Sequence, residues 1–171
     1  MRSFVLLVAV LLAGCENAAD GAASAYLQKY VGRNVAALTV QDLDGKTVAL
    51  KDILAQGRPV LLNVWATWCA PCTEELPSLA ALGQGGKYAV VAISTDKDAA
   101  DIRAYLKREN LGPGMTVLWD SLGMVTTPAV GSRALPASYL LDVSGTVKLV
   151  AAGAREWNHP KMLAKMDAAL K

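Results

Sequence analysis

The chain has 171 residues, 53% hydrophobic and 19% charged, with Lys+Arg at 17 against Asp+Glu at 15. That is about one domain of chain with enough apolar side chains for its own core, which excludes intrinsic disorder. A formal charge of +2 offers no basic stripe to a nucleic acid, and the three cysteines, Cys15, Cys69 and Cys72, are too few for a disulfide framework.

The N-terminus reads as an address. Arg2 gives a short positive region, and Phe4 to Leu12 is an apolar run of nine residues. A bilayer-spanning helix needs about 20, so this is the length of a signal peptide. The run ends in Leu12-Ala13-Gly14-Cys15, which resembles a bacterial lipobox. The resemblance implies cleavage before Cys15 and a diacylglycerol on its sulfur, an anchor without a transmembrane helix. Residues 1–14 are thus expected to be the signal peptide. Residues 15–34 are read as the lipidated cysteine and a tether, because Glu16 to Ser24 is small and polar without apolar periodicity. The folded domain is expected over residues 35–171.

Within that domain, strands and helices alternate. Asp44-Gly45 between residues 37–43 and 47–50 predicts a β-hairpin. Val60 to Trp65 is nearly all apolar, the pattern of a buried parallel strand. A helix is expected from Pro71 to about Leu82, with Pro71 tolerated in its first turn and Pro77 kinking it. Residues 88–94 form another buried strand. Residues 98–109 form a helix with Ile102, Tyr105 and Leu106 on one face, and residues 116–119 a further strand. Ser144-Gly145 marks a second hairpin between residues 138–142 and 147–151. Asn158-His159-Pro160 starts a last helix with Met162, Leu163, Met166 and Leu170 as its buried stripe. This order implies an α/β domain, a mixed central sheet flanked by helices.

The chemistry concentrates in Cys69-Ala70-Pro71-Cys72, which leaves a buried strand and opens a helix. Structural zinc wants four ligands, and the chain offers only Cys15 and His159 besides. Haem attachment wants His after the second cysteine, where Thr73 stands. A peroxidatic cysteine would follow a Pro-x-x-x-Thr pattern that neither cysteine has. A redox dithiol remains. The free N–H groups and positive dipole end of a helix N-terminus favour a thiolate, so Cys69 is the expected nucleophile. Cys72, one turn further in, is expected to resolve the mixed disulfide.

Trp68-Cys69-Ala70-Pro71-Cys72-Thr73-Glu74-Glu75-Leu76-Pro77 resembles the thioredoxin-like proteins of the TlpA/ResA group, which include the cytochrome c maturation thioredoxins. The likeness extends to Asp42-Leu43-Asp44-Gly45-Lys46, Ser94-Thr95-Asp96 and Leu135-Pro136. Gly153-Ala154-Arg155-Glu156-Trp157 resembles the Gly-x-x-Glu-Trp stretch of the TlpA members. The resemblance implies a thioredoxin fold with an N-terminal β-hairpin extension and extracytoplasmic thiol–disulfide exchange, usually as a reductant. It makes Pro136 the family's cis-proline opposite the cysteines, leaving Leu135 to pair with a substrate strand. It places Trp68, Ala70 and Pro71 at the substrate-facing surface. Asn63 stands where thioredoxin keeps a buried carboxylate, and Glu75 matches a glutamate thought to manage protons. Glu74 is expected at the surface, Trp119 and Trp157 in packing roles, and His159 at a helix start.

The expected function is therefore reduction of disulfides in partner proteins from the periplasm, with the membrane reached through lipid on Cys15. A membrane electron donor of the disulfide-reductase type would restore the dithiol. No cofactor, metal or nucleic acid is expected, and the chain is expected to be a monomer. Two alternatives stand beside this reading: a copper-binding or copper-delivery protein using the two soft thiolates, and a thiol peroxidase of the same fold.

Overall fold

The computed structural model describes residues 18–171. The proposed signal peptide and Cys15 lie outside the described residues. Helix α1 (Ala18–Leu27) comes first, then strands β1 (Thr39–Asp42) and β2 (Thr47–Ala49) and a short helix α2 (Leu50–Leu54). Strand β3 (Val60–Trp65), helix α3 (Ala70–Gln84), strand β4 (Ala89–Ser94), helix α4 (Ala99–Arg108) and strand β5 (Met115–Trp119) follow. Helix α5 (Thr126–Val130), strands β6 (Ala137–Leu141) and β7 (Val147–Ala152) and helix α6 (Pro160–Ala169) complete the chain.

The strands form one mixed sheet of seven in the order β2-β1-β5-β4-β3-β6-β7. Strands β3, β4 and β5 are parallel, while β6 runs antiparallel to β3 and β1 antiparallel to β5. All six residues of β3 are buried, and its side chains alternate between two cores. Val60, Leu62 and Val64 join the layer under α1, α2 and α5. Leu61 and Trp65 join the layer under α3, α4 and α6. Each fully buried Leu of β3 contributes about 2 kcal/mol of hydrophobic stabilisation. Asn63 shares the second face, so alternation aims an amide at α3.

Both hairpins use one device. The Asp42 carboxylate accepts the N–H groups of Asp44 and Lys46, each at 2.9 Å, and Gly45 takes φ 81°. Asp142 repeats this with Ser144 and Thr146, and Gly145 takes φ 84°. A side chain is strained at such angles.

Part of the expected tether is helix. Glu16 to Ser24 reads as small, polar and aperiodic, yet the alanines it contributes to α1 are the strongest helix formers. The helix docks on β7, where the Ser24 hydroxyl accepts the Ala152 N–H at 3.1 Å. Leu27 and Tyr30 are buried in the core, so the folded unit begins well before residue 35. Helix α3 carries Pro77 in its interior and runs on to Gln84, past the expected end near Leu82. In α6 only Met166 of the expected stripe is fully buried.

Helix α3 crosses the turn before β5 so closely that a Cβ on Gly83 would lie 1.7 Å from the Gly114 carbonyl oxygen. That oxygen is backbone and has no rotamer to yield. Gly83→Ala is expected to destabilise the fold by about 3 kcal/mol, as overpacking does. Urea unfolding checks it; a midpoint equal to the parent's would contradict the close approach.

Candidate active site

Cys69 and Cys72 are joined by a disulfide, with Cα atoms 5.2 Å apart. Cys69 is the N-cap residue of α3, extended at φ −96°, ψ 102°, and its carbonyl accepts the Thr73 N–H at 3.1 Å. It retains 7% of its surface, whereas Cys72 has none. Cys69 is therefore the more accessible of the two cysteines, and Cys72 is sealed. Trp68 is 71% exposed, and Ala70 and Pro71 are also exposed, forming the outer wall of the disulfide.

The Leu135–Pro136 peptide bond is cis. Strand pairing sets Val64 against Ala137, which brings Pro136 to the end of β3 where the cysteine loop departs. Leu135, half-buried, and Trp68 line one groove of about 540 Å³ together with Lys97, Leu122, Ser132 and Arg133. Leu122 is 68% exposed and Met124 73%, so apolar side chains stand beside the groove.

Glu75 is no surface carboxylate: it is 2% exposed. Its Oε1 accepts the Asn63 amide at 2.7 Å, and its Oε2 accepts the Trp157 indole N–H at 2.9 Å and the Arg155 backbone N–H at 3.0 Å. Burial pushes its carboxyl up to about 7, against the pull of those three donors and of the Arg155 guanidinium. Asn63 also donates to Ser138 Oγ at 2.9 Å. Ser78, one turn on, accepts the Trp157 N–H at 3.1 Å, and its hydroxyl lies between the Glu75 carbonyl at 2.8 Å and the Arg155 carbonyl at 3.2 Å, which holds residues 155–157 against α3. Trp157 is thus more than packing. Nothing in its sequence position announces that role, because it lies 82 residues from Glu75.

Asp96 was legible as part of a motif but not as a support. It is 2% exposed, and its carboxylate accepts the Thr67 N–H at 3.0 Å and the Thr67 hydroxyl at 2.6 Å. Ser94 donates to it at 2.5 Å. This fastens the loop between β3 and Cys69 to the end of β4. Asp120 does the same for α5, accepting the N–H and hydroxyl of Thr126 at 2.7 and 2.8 Å. Glu74 is exposed, and His159 caps α6 by accepting the Lys161 N–H at 3.3 Å.

Residues 31–150 match the AhpC/TSA family. The chain belongs to that family. Within it, the chain is 33% identical over 127 residues to thioredoxin-like protein YneN of Bacillus subtilis (strain 168), covering 71% of each protein. It is 35% identical over 118 residues to thiol-disulfide oxidoreductase ResA of Bacillus thuringiensis (strain Al Hakam), covering 68% of this chain and 66% of ResA. Among solved structures it is similar to a DsbE-type thiol:disulfide interchange protein from Chlorobium tepidum. The TM-score is 0.66 at 27% identity, over 82% of this chain and 99% of that one. This AhpC/TSA member is a thiol–disulfide oxidoreductase with a thioredoxin fold, and β1–β2 is its N-terminal hairpin extension.

Proposed function

We propose that this oxidoreductase works outside the cytoplasm, anchored through lipid on Cys15, and reduces disulfides in partner proteins. The observation that carries the reading is the asymmetry of the two cysteines: Cys69 keeps 7% of its surface open next to an exposed Trp68, and Cys72 has none. In the dithiol form, the Cys69 thiolate attacks one sulfur of the partner's disulfide, and the partner's other sulfur leaves as a thiolate. Cys72 then gives its proton to Glu75 and attacks Cys69 Sγ. The partner's second sulfur leaves and is protonated, and the protein holds its disulfide. A membrane-held donor of two electrons and two protons returns it to the dithiol. Leu135 and Pro136 supply the backbone edge on which the partner's segment lies, and Trp68, Ala70 and Pro71 its flank.

Two measurements test this. The dithiol protein is expected to reduce a disulfide-bonded protein substrate with loss of both thiols. A protein that binds Cu(I) between the cysteines and exchanges no disulfide would sink the proposal in favour of a copper role. Intact mass of membrane-extracted protein is expected to show Cys15 as the first residue, carrying acyl chains. A mature chain that keeps residues before Cys15, or starts later without lipid, removes the anchor.

A further inference from the structure

The Asn63 amide is buried, and its oxygen has no hydrogen-bond partner although its nitrogen has two. A buried orphan of this kind calls for an explanation. The partners supply one. Glu75 Oε2 already accepts two N–H groups, from Trp157 and Arg155, which fill its lone pairs. Oε1 accepts only Asn63 Nδ2 and keeps a free lone pair. A proton arriving at Glu75 therefore settles on Oε1, directly against Asn63. There it faces an N–H group that cannot accept it.

We propose that Asn63 is the positioning residue for the Glu75 proton: its amide turns over when Glu75 is protonated, donating through Nδ2 to the carboxylate and accepting through Oδ1 from the acid. A half-turn about the side chain exchanges the two atoms at the same place. Ser138 follows, because a hydroxyl that accepts from Nδ2 can rotate and donate to Oδ1. In the carboxylate state Nδ2 donates twice; in the acid state Oδ1 accepts twice. Proton uptake then costs no net hydrogen bond in a place where an unmade one is expensive. Aspartate at position 63 would compete for the proton, and leucine would offer nothing to either state.

This rests on the reading of Glu75 as the site's proton carrier. The charged group acting on Glu75 from the segment after β7 is the Arg155 guanidinium. Strands β3 and β6 bring only the uncharged Asn63 and Ser138, and Cys72 lies one turn earlier on α3. In the disulfide form Cys72 carries no proton, so a titration there isolates Glu75.

The test follows the Asn63 side-chain amide by NMR in the disulfide protein across the neutral pH range. Both amide protons are expected to shift in one step that coincides with titration of the Glu75 carboxyl carbon, and the step is expected to vanish in Glu75→Gln. Amide signals that stay fixed while the Glu75 carbon titrates overturn the proposal. In kinetics, Asn63→Leu is expected to leave the pH midpoint of exchange within about half a unit of the parent's, since the charged and the neutral form of Glu75 each lose one hydrogen bond. A midpoint that rises by about a unit or more in a folded Asn63→Leu protein means that only a donor to the carboxylate was lost and also overturns it, and the parent's spectrum decides the matter if that variant does not fold. A Glu75→Gln protein that exchanges as fast as the parent overturns the proton-carrier reading instead. That failure is distinguishable because the parent's amide step persists.

Discussion

Cys72→Ser is expected to accumulate mixed disulfides with partner proteins through Cys69, and Cys69→Ser to accumulate none. Overall exchange is lost in both. The difference arises because Cys69 sits at the N-cap of α3 with part of its surface open, while Cys72 has no exposed surface. A thiolate is favoured at the helix end by the unpaired N–H groups and the dipole, and it is also the nucleophile in exchange. Without Cys72 the mixed disulfide has no internal thiol to resolve it. Non-reducing gels of membrane extracts read the result, and equal trapping by both variants would reverse the assignment of the attacking sulfur.

Glu75→Gln is expected to separate activity from stability. Folded Glu75 holds its proton up to about pH 7, against an ordinary value of 4.5. Below the ordinary value both folded and unfolded chains are protonated, and burial of the acid carries no charge penalty. As pH rises from there to about 7, the unfolded chain ionises readily and the folded one reluctantly, so stability falls. Above about 7 the loss is complete, amounting to about 3 kcal/mol. Glutamine removes the ionisation and keeps an acceptor for Trp157 and Arg155. Glu75→Gln should therefore be more stable than the parent at about pH 8 by up to that amount and close to it at about pH 4. Urea unfolding at the two pH values checks this; equal gain at both would mean that Glu75 ionises normally. The same variant is expected to slow thiol–disulfide exchange about 10-fold at neutral pH, less than an alcohol nucleophile would suffer. Glu74→Gln, at an exposed position, is the control and should change neither property.

The strands and the redox turn were legible because their signals are local. The run Val60 to Trp65 declared a buried strand, the Asp44-Gly45 and Ser144-Gly145 turns declared hairpins, and Cys69 and Cys72 at the following helix declared the chemistry. Helix α1 was hidden because alanine, glycine and serine give it no apolar stripe, and its place is set by contact with β7 rather than by its own pattern. Helices α2 and α5 are five residues each, too short for periodicity to register. The surroundings of Glu75 were hidden for another reason. Asn63, Ser138, Arg155 and Trp157 come from three separate stretches of chain, and only the sheet order brings β3 beside β6 and lays residues 155–157 against α3.

The position of β3 in the sheet has a bearing on motion. It is hydrogen-bonded on both sides, to β4 and β6, and covered on both faces. Opening it requires breaking the centre of the molecule, so its amides should exchange with solvent deuterium only through global unfolding. The loop carrying Cys69 and the strand carrying Asn63 are thus suspended from the slowest-opening segment of the chain. Asn63 is therefore the fixed wall of the Glu75 pocket, and the partly exposed segment around Arg155 is the wall that opens first.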